Sequence, residues 1–294
     1  MNGMLNLLKP PGMSSAAAVG IVKRLTGERV GHAGTLDPEA AGVLPILVGR
    51  ATRMLDYLPE TEKEYIAQIG FGVSTDTQDA QGKPLAFSRC IVTRAQLEGV
   101  LPAFIGKILQ CPPAYSAIKQ GGRPLYELAR KGQMVQTAPR PTVIHSIEIL
   151  SDPEPNVFVL RVRCGRGTYI RTLCHDIGTA LDCPAHMRFL LRTRSGYFKI
   201  DDAVTLEEIA EAANLGTLPA LLMPCDAPLA HYMRVDVPNH LEKQVLNGVA
   251  IQAHWSDTPC RVYVNGQFTG MYAPEGDKMR PAALILTAND LKLP

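Results

Sequence analysis

Asp37 is the residue of this chain whose surroundings most suit covalent chemistry. It lies in the run Gly31-His32-Ala33-Gly34-Thr35-Leu36-Asp37-Pro38-Glu39-Ala40-Ala41-Gly42. Pro38 pushes Asp37 toward extended backbone. Gly31, Gly34 and Gly42 allow close approaches that other residues resist. A carboxylate held in this way suits nucleophilic catalysis, because a weak nucleophile gains most from being fixed at its target. The same residues also spell an ordinary helix start, with Asp37 as N-cap and Pro38 in the first turn. Read alone, they favour the cap.

Other reactive types carry less. Cys174, His175, Cys183 and His186 are metal-ligand residues, but they lack the HxE…PCxxC spacing of a zinc deaminase. Buried free cysteines account for them more simply. Tyr65 and Tyr169 fall in apolar patterns that periodicity alone assigns to the core, as it does Leu190. His32 beside glycine reads as structural.

The elements that must position these groups follow from the pattern. Residues 15–25 read as a short helix opened by serine and closed by Gly27. Residues 64–71 are β-like and end in a turn-rich loop over 72–82. Thr93-x-x-Gln96 is a capping box ahead of a helix to about Leu101. From 111 to 140 the chain is rich in proline, glycine and basic residues, which reads as a surface excursion with a short helical piece near 125–130. Residues 142–150 and 157–164 form two strands around a turn at 152–156. The clearest helix spans 168 to about 181, where Tyr169, Leu173, Ile177 and Leu181 make a buried stripe. Arg171 lies roughly 200° from Leu173 around that helix, so it faces either a pocket or water. Thr205-x-x-Glu208 opens another capped helix. After about His231 the pattern turns to short strands at 260–264, 267–272 and 282–286, with an Asn265-Gly266 turn.

Composition bounds the rest. A chain of 294 residues with 46% hydrophobic content fits about two domains with packed cores. No apolar run approaches the roughly twenty residues needed to span a bilayer, and no signal-peptide pattern is present. Seven cysteines without a CxxC pair argue against a disulfide framework and fit a cytoplasmic setting. Net charge is only +2, but it is segregated. Arg161, Arg163, Arg166, Arg171, Arg188, Arg192, Arg194 and Lys199 face only Asp176 and Asp182 in their segment, whereas residues 201–211 carry acids alone. That fits one face for phosphates and another for solvent.

Six motifs in order add a resemblance. From Gly31 to Arg53, GHAGTLDPEAAGVLPILVGRATR is similar to the catalytic motif of the TruB-type tRNA pseudouridine-55 synthases. Lys9-Pro10-Pro11-Gly12 resembles that family's N-terminal motif. Lys63-Glu64-Tyr65 resembles its Lys-x-Tyr strand. Thr75-Asp76-Thr77-Gln78-Asp79-Ala80-Gln81-Gly82 resembles the loop that follows. Pro112-Pro113-Ala114-Tyr115-Ser116-Ala117-Ile118-Lys119 and Gly167-Thr168-Tyr169-Ile170-Arg171 complete the series. An ordered set is far more specific than any one match.

The resemblance implies isomerisation of uridine-55 in the T loop of tRNA, with no cofactor and no metal. The C1'–N1 bond breaks, the base rotates and a C1'–C5 bond forms. Asp37 would be the nucleophile, at C6 of the base or at C1' of the ribose. Arg171 would pair with Asp37 and orient it, Tyr65 would lie against the uracil, and Tyr169 and Leu190 would line the pocket. His32 would help hold the base flipped out. Lys9, Lys119, Arg123, Arg130 and Lys131 would contact the RNA backbone, with Arg53 and Asp79 positioning loops. The implied fold is mixed α/β around a largely antiparallel sheet. A catalytic domain would cover 1–230, with a basic insertion near 111–140. A small PUA-like RNA-binding domain would cover 231–294. The expected partner is the tRNA T stem-loop, bound by a monomer with no membrane contact. Two rivals remain: a module that binds tRNA without chemistry, and a related enzyme acting on another RNA.

Overall fold

A computed structural model of the chain describes all residues except 60–61, 117, 121, 126–136, 254, 288–289 and 291–294. The first elements are β1 (Gly3–Lys9), α1 (Ser15–Thr26), β2 (Val30–His32), β3 (Ala41–Val48) and β4 (Lys63–Phe71). Next come β5 (Val73–Thr75), β6 (Pro84–Phe87), α2 (Arg94–Val100), β7 (Gly106–Gln110), β8 (Lys119–Gln120) and β9 (Arg123–Pro124). They are followed by β10 (Arg140–Glu154), β11 (Val157–Cys164), α3 (Ile170–Ala180), β12 (Ala185–Ser195), β13 (Phe198–Lys199) and α4 (Leu206–Asn214). The chain closes with β14 (Arg234–Asp236), α5 (Asn239–Leu246), β15 (Cys260–Val264), β16 (Gln267–Glu275) and β17 (Lys278–Leu284). Two compact units result. One comprises Met1–Pro38, Val43–Pro59 and Gly196–Pro294, the other Glu39–Gly42 and Glu60–Ser195.

The second unit is built on strands in the order β12-β4-β11-β10-β7, with every neighbouring pair antiparallel. Its parallel pairing sets Ala41 and Gly42 against Leu191 and Arg192. The sheet is therefore largely antiparallel, as expected. Alternation explains β11: Phe158, Leu160, Val162 and Cys164 are buried, while Arg163 is exposed. Leu173 and Ile177 are the fully buried part of the α3 stripe, packed toward β12 and β4. The Thr93–Gln96 capping box forms at the start of α2. β10 runs on to Glu154, past the expected end of that strand, because Asn156 takes a positive φ of 62° and lets Glu154 pair with Val157 in a tight hairpin. Beyond Leu125, the helical piece expected near 125–130 falls on residues outside those described.

Cys90 and Cys183 are joined by a disulfide with Cα atoms 5.9 Å apart, where the sequence pointed to free thiols. The partners are 93 residues apart, and only the fold brings them together.

Gly42 lies tight against the Arg192 backbone of β12. Its φ is +110°, and a Cβ there would stand 2.2 Å from the Arg192 carbonyl oxygen. Gly42→Ala is expected to destabilise the protein by roughly 3 kcal/mol, from left-handed strain plus a backbone clash. Thermal unfolding checks this, with an expected drop in Tm of about 6–12 °C.

In the first unit β2 pairs with β3, whose eight residues are all buried. One core gathers Met4, Val43, Leu47, Met54, Phe198 and Leu229 with Met271 and Ile285 from the C-terminal region. A second core, of Val245, Ile251, Val262, Tyr272 and Met279, lies within the C-terminal sheet. Helix α1 is capped by Ser14, which accepts from the Ala17 amide, and is closed by Gly27. α4 carries the Thr205–Glu208 capping box. The C-terminal sheet has the order β14-β15-β16-β17. Asn265 and Gly266, with φ of 51° and 74°, turn β15 into β16. The last strand spans 278–284, not 282–286, and includes Pro281. It is the last strand of that sheet, paired with β16 and bridged at Met279 to Ile251, and at this edge the missing N–H of Pro281 is tolerated. No helix among the described residues is long and apolar enough to cross a membrane.

Candidate active site

The Asp37 loop is anchored from both sides within the first unit. Ser15 Oγ donates to the Leu36 carbonyl and accepts from the Leu36 amide, both at 2.9 Å. Lys9 Nζ donates to the Pro38 carbonyl at 3.0 Å and to the carbonyls of Pro10 and Met13 at 2.7 and 2.6 Å. The Met13 amide also donates to Pro38, at 3.2 Å. These bonds fix the residues before and after Asp37 in a non-helical path, with only a turn at Pro38 and Glu39. The helix-start reading of Asp-Pro-Glu is thereby overturned. Tertiary anchors hold the backbone groups that a cap would have served.

Lys9 is corrected by the same geometry. It has no exposed surface, and three carbonyls take up the donors of its ammonium group, so it braces the loop and does not face a phosphate. His32 lies half-buried on β2 opposite Ile46. Arg53 is exposed and donates to the Leu284 carbonyl at 3.2 Å, tying its segment to the end of β17.

The second unit gathers the other candidates around α3 and β4. Arg171 is 4% exposed, which settles its direction: it faces protein, not water. Its guanidinium donates to the Thr77 carbonyl at 3.1 Å and the Tyr115 carbonyl at 2.9 Å, with Asp79 at 3.9 Å. Two of the resemblance motifs thus converge on this arginine. Asp79 organises its own loop, accepting from Thr77 Oγ1 at 2.6 Å and from the Gln81 amide at 3.0 Å. Thr172 Oγ1 adds a bond to Gln78 at 3.0 Å. Tyr65 is buried on β4, in register with Val162 on one side and Arg192 on the other. Leu190 is buried on β12 opposite Ala67.

Gln110 escaped the sequence reading. It is 2% exposed, and its amide clamps Tyr169, donating to the carbonyl at 3.2 Å and accepting from the amide at 3.0 Å. The residue that begins α3 is thus held by a strand 59 positions away. A polar residue ending an apolar strand before Cys-Pro-Pro was the available signal. Ser15 and Gln78 were likewise overlooked. The metal-type residues do not converge: Cys183 is in the disulfide, and His186 Nδ1 lies 3.0 Å from the Val73 carbonyl. Among the described residues no group of three His, Cys, Asp or Glu is placed to hold a metal.

The mixed α/β fold on this largely antiparallel sheet is that of pseudouridine synthases, as comparison with known proteins shows. The chain is similar to one in a solved Cbf5–Nop10–Gar1 complex: 26% identity, TM-score 0.69, covering 99% of this chain and 81% of that one. The TruB family pseudouridylate synthase N-terminal domain matches residues 23–170, and the tRNA pseudouridylate synthase B C-terminal domain matches residues 171–230. The chain belongs to the TruB family. Its relatives include a tRNA pseudouridine synthase B of Alkaliphilus oremlandii, 44% identical over 256 residues, covering 87% of this chain and 84% of the relative. Another, from Caldanaerobacter subterraneus, is 40% identical over 290 residues, covering 97% and 99%.

Proposed function

We propose that this protein isomerises uridine-55 in the T loop of tRNA to pseudouridine. The observation that carries the reading is family membership over most of the chain, with relatives named tRNA pseudouridine synthase B. In the proposed mechanism Asp37 is the nucleophile on an extruded uridine, and Arg171 pairs with it and orients it. Tyr65 lies against the base, with Tyr169 and Leu190 around it and His32 at the flipped nucleotide. Asp79 acts through Arg171 and its own loop. The anchoring of Leu36 and Pro38 supports the role of Asp37, since it fixes a carboxylate at low conformational cost. Residues 231–294, with their own core, are proposed as an RNA-binding module of PUA type. Its charges balance, six basic against six acidic, so it would recognise RNA by shape and specific contacts.

Extruding a stacked base costs a few kcal/mol, which backbone contacts along the T arm offset. The test uses unmodified tRNA transcript tritiated at C5 of uridine. Forming C1'–C5 expels the C5 hydrogen, so label enters water once per event. Release of about one equivalent per tRNA is expected, lost when the T-loop uridine is replaced by cytidine. Binding without release would favour the non-catalytic module. Release that survives the replacement would move the target to another uridine.

A further inference from the structure

Lys63 opens a strand that bears Tyr65, yet the mechanism above gives it nothing to do. In register it stands opposite Cys164 on β11 and Ser195 on β12. Residues two apart on a strand share a face, so Lys63 and Tyr65 line the same side of β4. Across from Tyr65 is Arg192, which has no exposed surface. The acids nearest in sequence are engaged elsewhere. Glu62 pairs with Arg163, and Glu64 accepts from Thr193 Oγ1 at 2.8 Å. Among the described residues the Lys63 ammonium has neither a hydrogen bond nor an ion pair.

Burial first, then the charge of Arg192, pull the Lys63 ammonium down to about 8, with Cys164 opposing and Arg166 adding a smaller downward effect. Burial in turn pushes the Cys164 thiol up to about 11, so it supplies no anion near neutrality. A half-buried ammonium with no partner among the described residues gains from an anion that joins it. RNA carries one such anion per nucleotide, and an extruded nucleotide brings its flanking phosphates with it.

We propose that Lys63 seats a backbone phosphate of the RNA adjacent to the extruded uridine. This rests on the reading of Tyr65 as the residue against the base. Lys63 is a positioning residue in this scheme, acting on the RNA backbone and not on the reacting bonds.

The test compares wild type, Lys63→Met and Lys63→Arg as full chains with unmodified tRNA. Lys63→Met is expected to weaken tRNA binding roughly 10- to 100-fold, as loss of one charged contact does, with kcat changed less than about threefold. Its slope of log Kd against log salt should fall by about 0.7–0.9, the share of one phosphate. Lys63→Arg should restore most of the affinity. A second arm leaves the protein untouched. T stem-loops carry a methylphosphonate at the phosphate either 5' or 3' of the target uridine. One of the two is expected to weaken wild-type binding by a similar factor and to cost Lys63→Met nothing more. An unchanged salt slope in Lys63→Met would overturn the phosphate seat. So would wild-type binding indifferent to both methylphosphonates, even if the variant folds poorly. Both arms read binding, so a wild type that binds tRNA but releases no tritium counts against the catalytic reading alone.

Discussion

Asp37→Asn is expected to lower pseudouridine formation by on the order of 10⁴-fold or more, as loss of a nucleophile does, while tRNA affinity stays within a few-fold. The substitution keeps the side-chain shape and removes the carboxylate charge that attacks. It should also leave the fold intact. Ser15 holds Leu36 through both of its backbone groups, and Lys9 with the Met13 amide holds Pro38. Neither anchor uses the Asp37 side chain, so the loop keeps its path when the carboxylate becomes an amide. Thermal unfolding within about 2 °C of wild type, measured beside tritium release, would confirm that the loss is chemical. A variant retaining more than about a tenth of the wild-type rate would remove Asp37 from the covalent step.

That loop also marks where sequence reasoning was sufficient and where it failed. The ordered motifs led to the family, and local signals placed α1, α2, α4 and the Asn265-Gly266 turn, because caps and tight turns are encoded by residues three or four apart. The Asp37 loop could not be read in that way. Its backbone partners come from residues 21 to 29 positions earlier, and they replace the cap that Asp-Pro-Glu would otherwise form. Lys9 misled for a related reason: a lysine in a proline-glycine segment looks solvent-facing until the carbonyls that surround it are in place. The direction of Arg171 was undecided on the helix wheel, since a wheel distinguishes faces but not what lies opposite them. Gln110 and the Cys90–Cys183 bridge depend wholly on long-range pairing, which spacing does not carry.

Convergence of distant segments on Arg171 makes it the next most sensitive position. Its guanidinium reaches the Thr77 and Tyr115 carbonyls and lies 3.9 Å from Asp79, so one planar group serves two motif loops at once. Lysine offers a single ammonium on a flexible stem and cannot span both carbonyls in that geometry. Arg171→Lys is therefore expected to cost about 2–3 kcal/mol of stability from buried carbonyls left short of donors. Its larger effect should be on rate. With the loops released and the proposed orientation of the carboxylate lost, kcat is expected to fall roughly 10²- to 10³-fold. The tRNA KM should move only a few-fold, because most of the binding energy comes from backbone contacts elsewhere along the T arm. Asp79→Asn makes the complementary comparison. It keeps the acceptor that organises residues 77–81 and removes the charge beside Arg171, so a loss of about tenfold or less in kcat is expected. If Arg171→Lys instead raised KM and spared kcat, the arginine would be a phosphate contact, and the proposed pairing with Asp37 would be wrong.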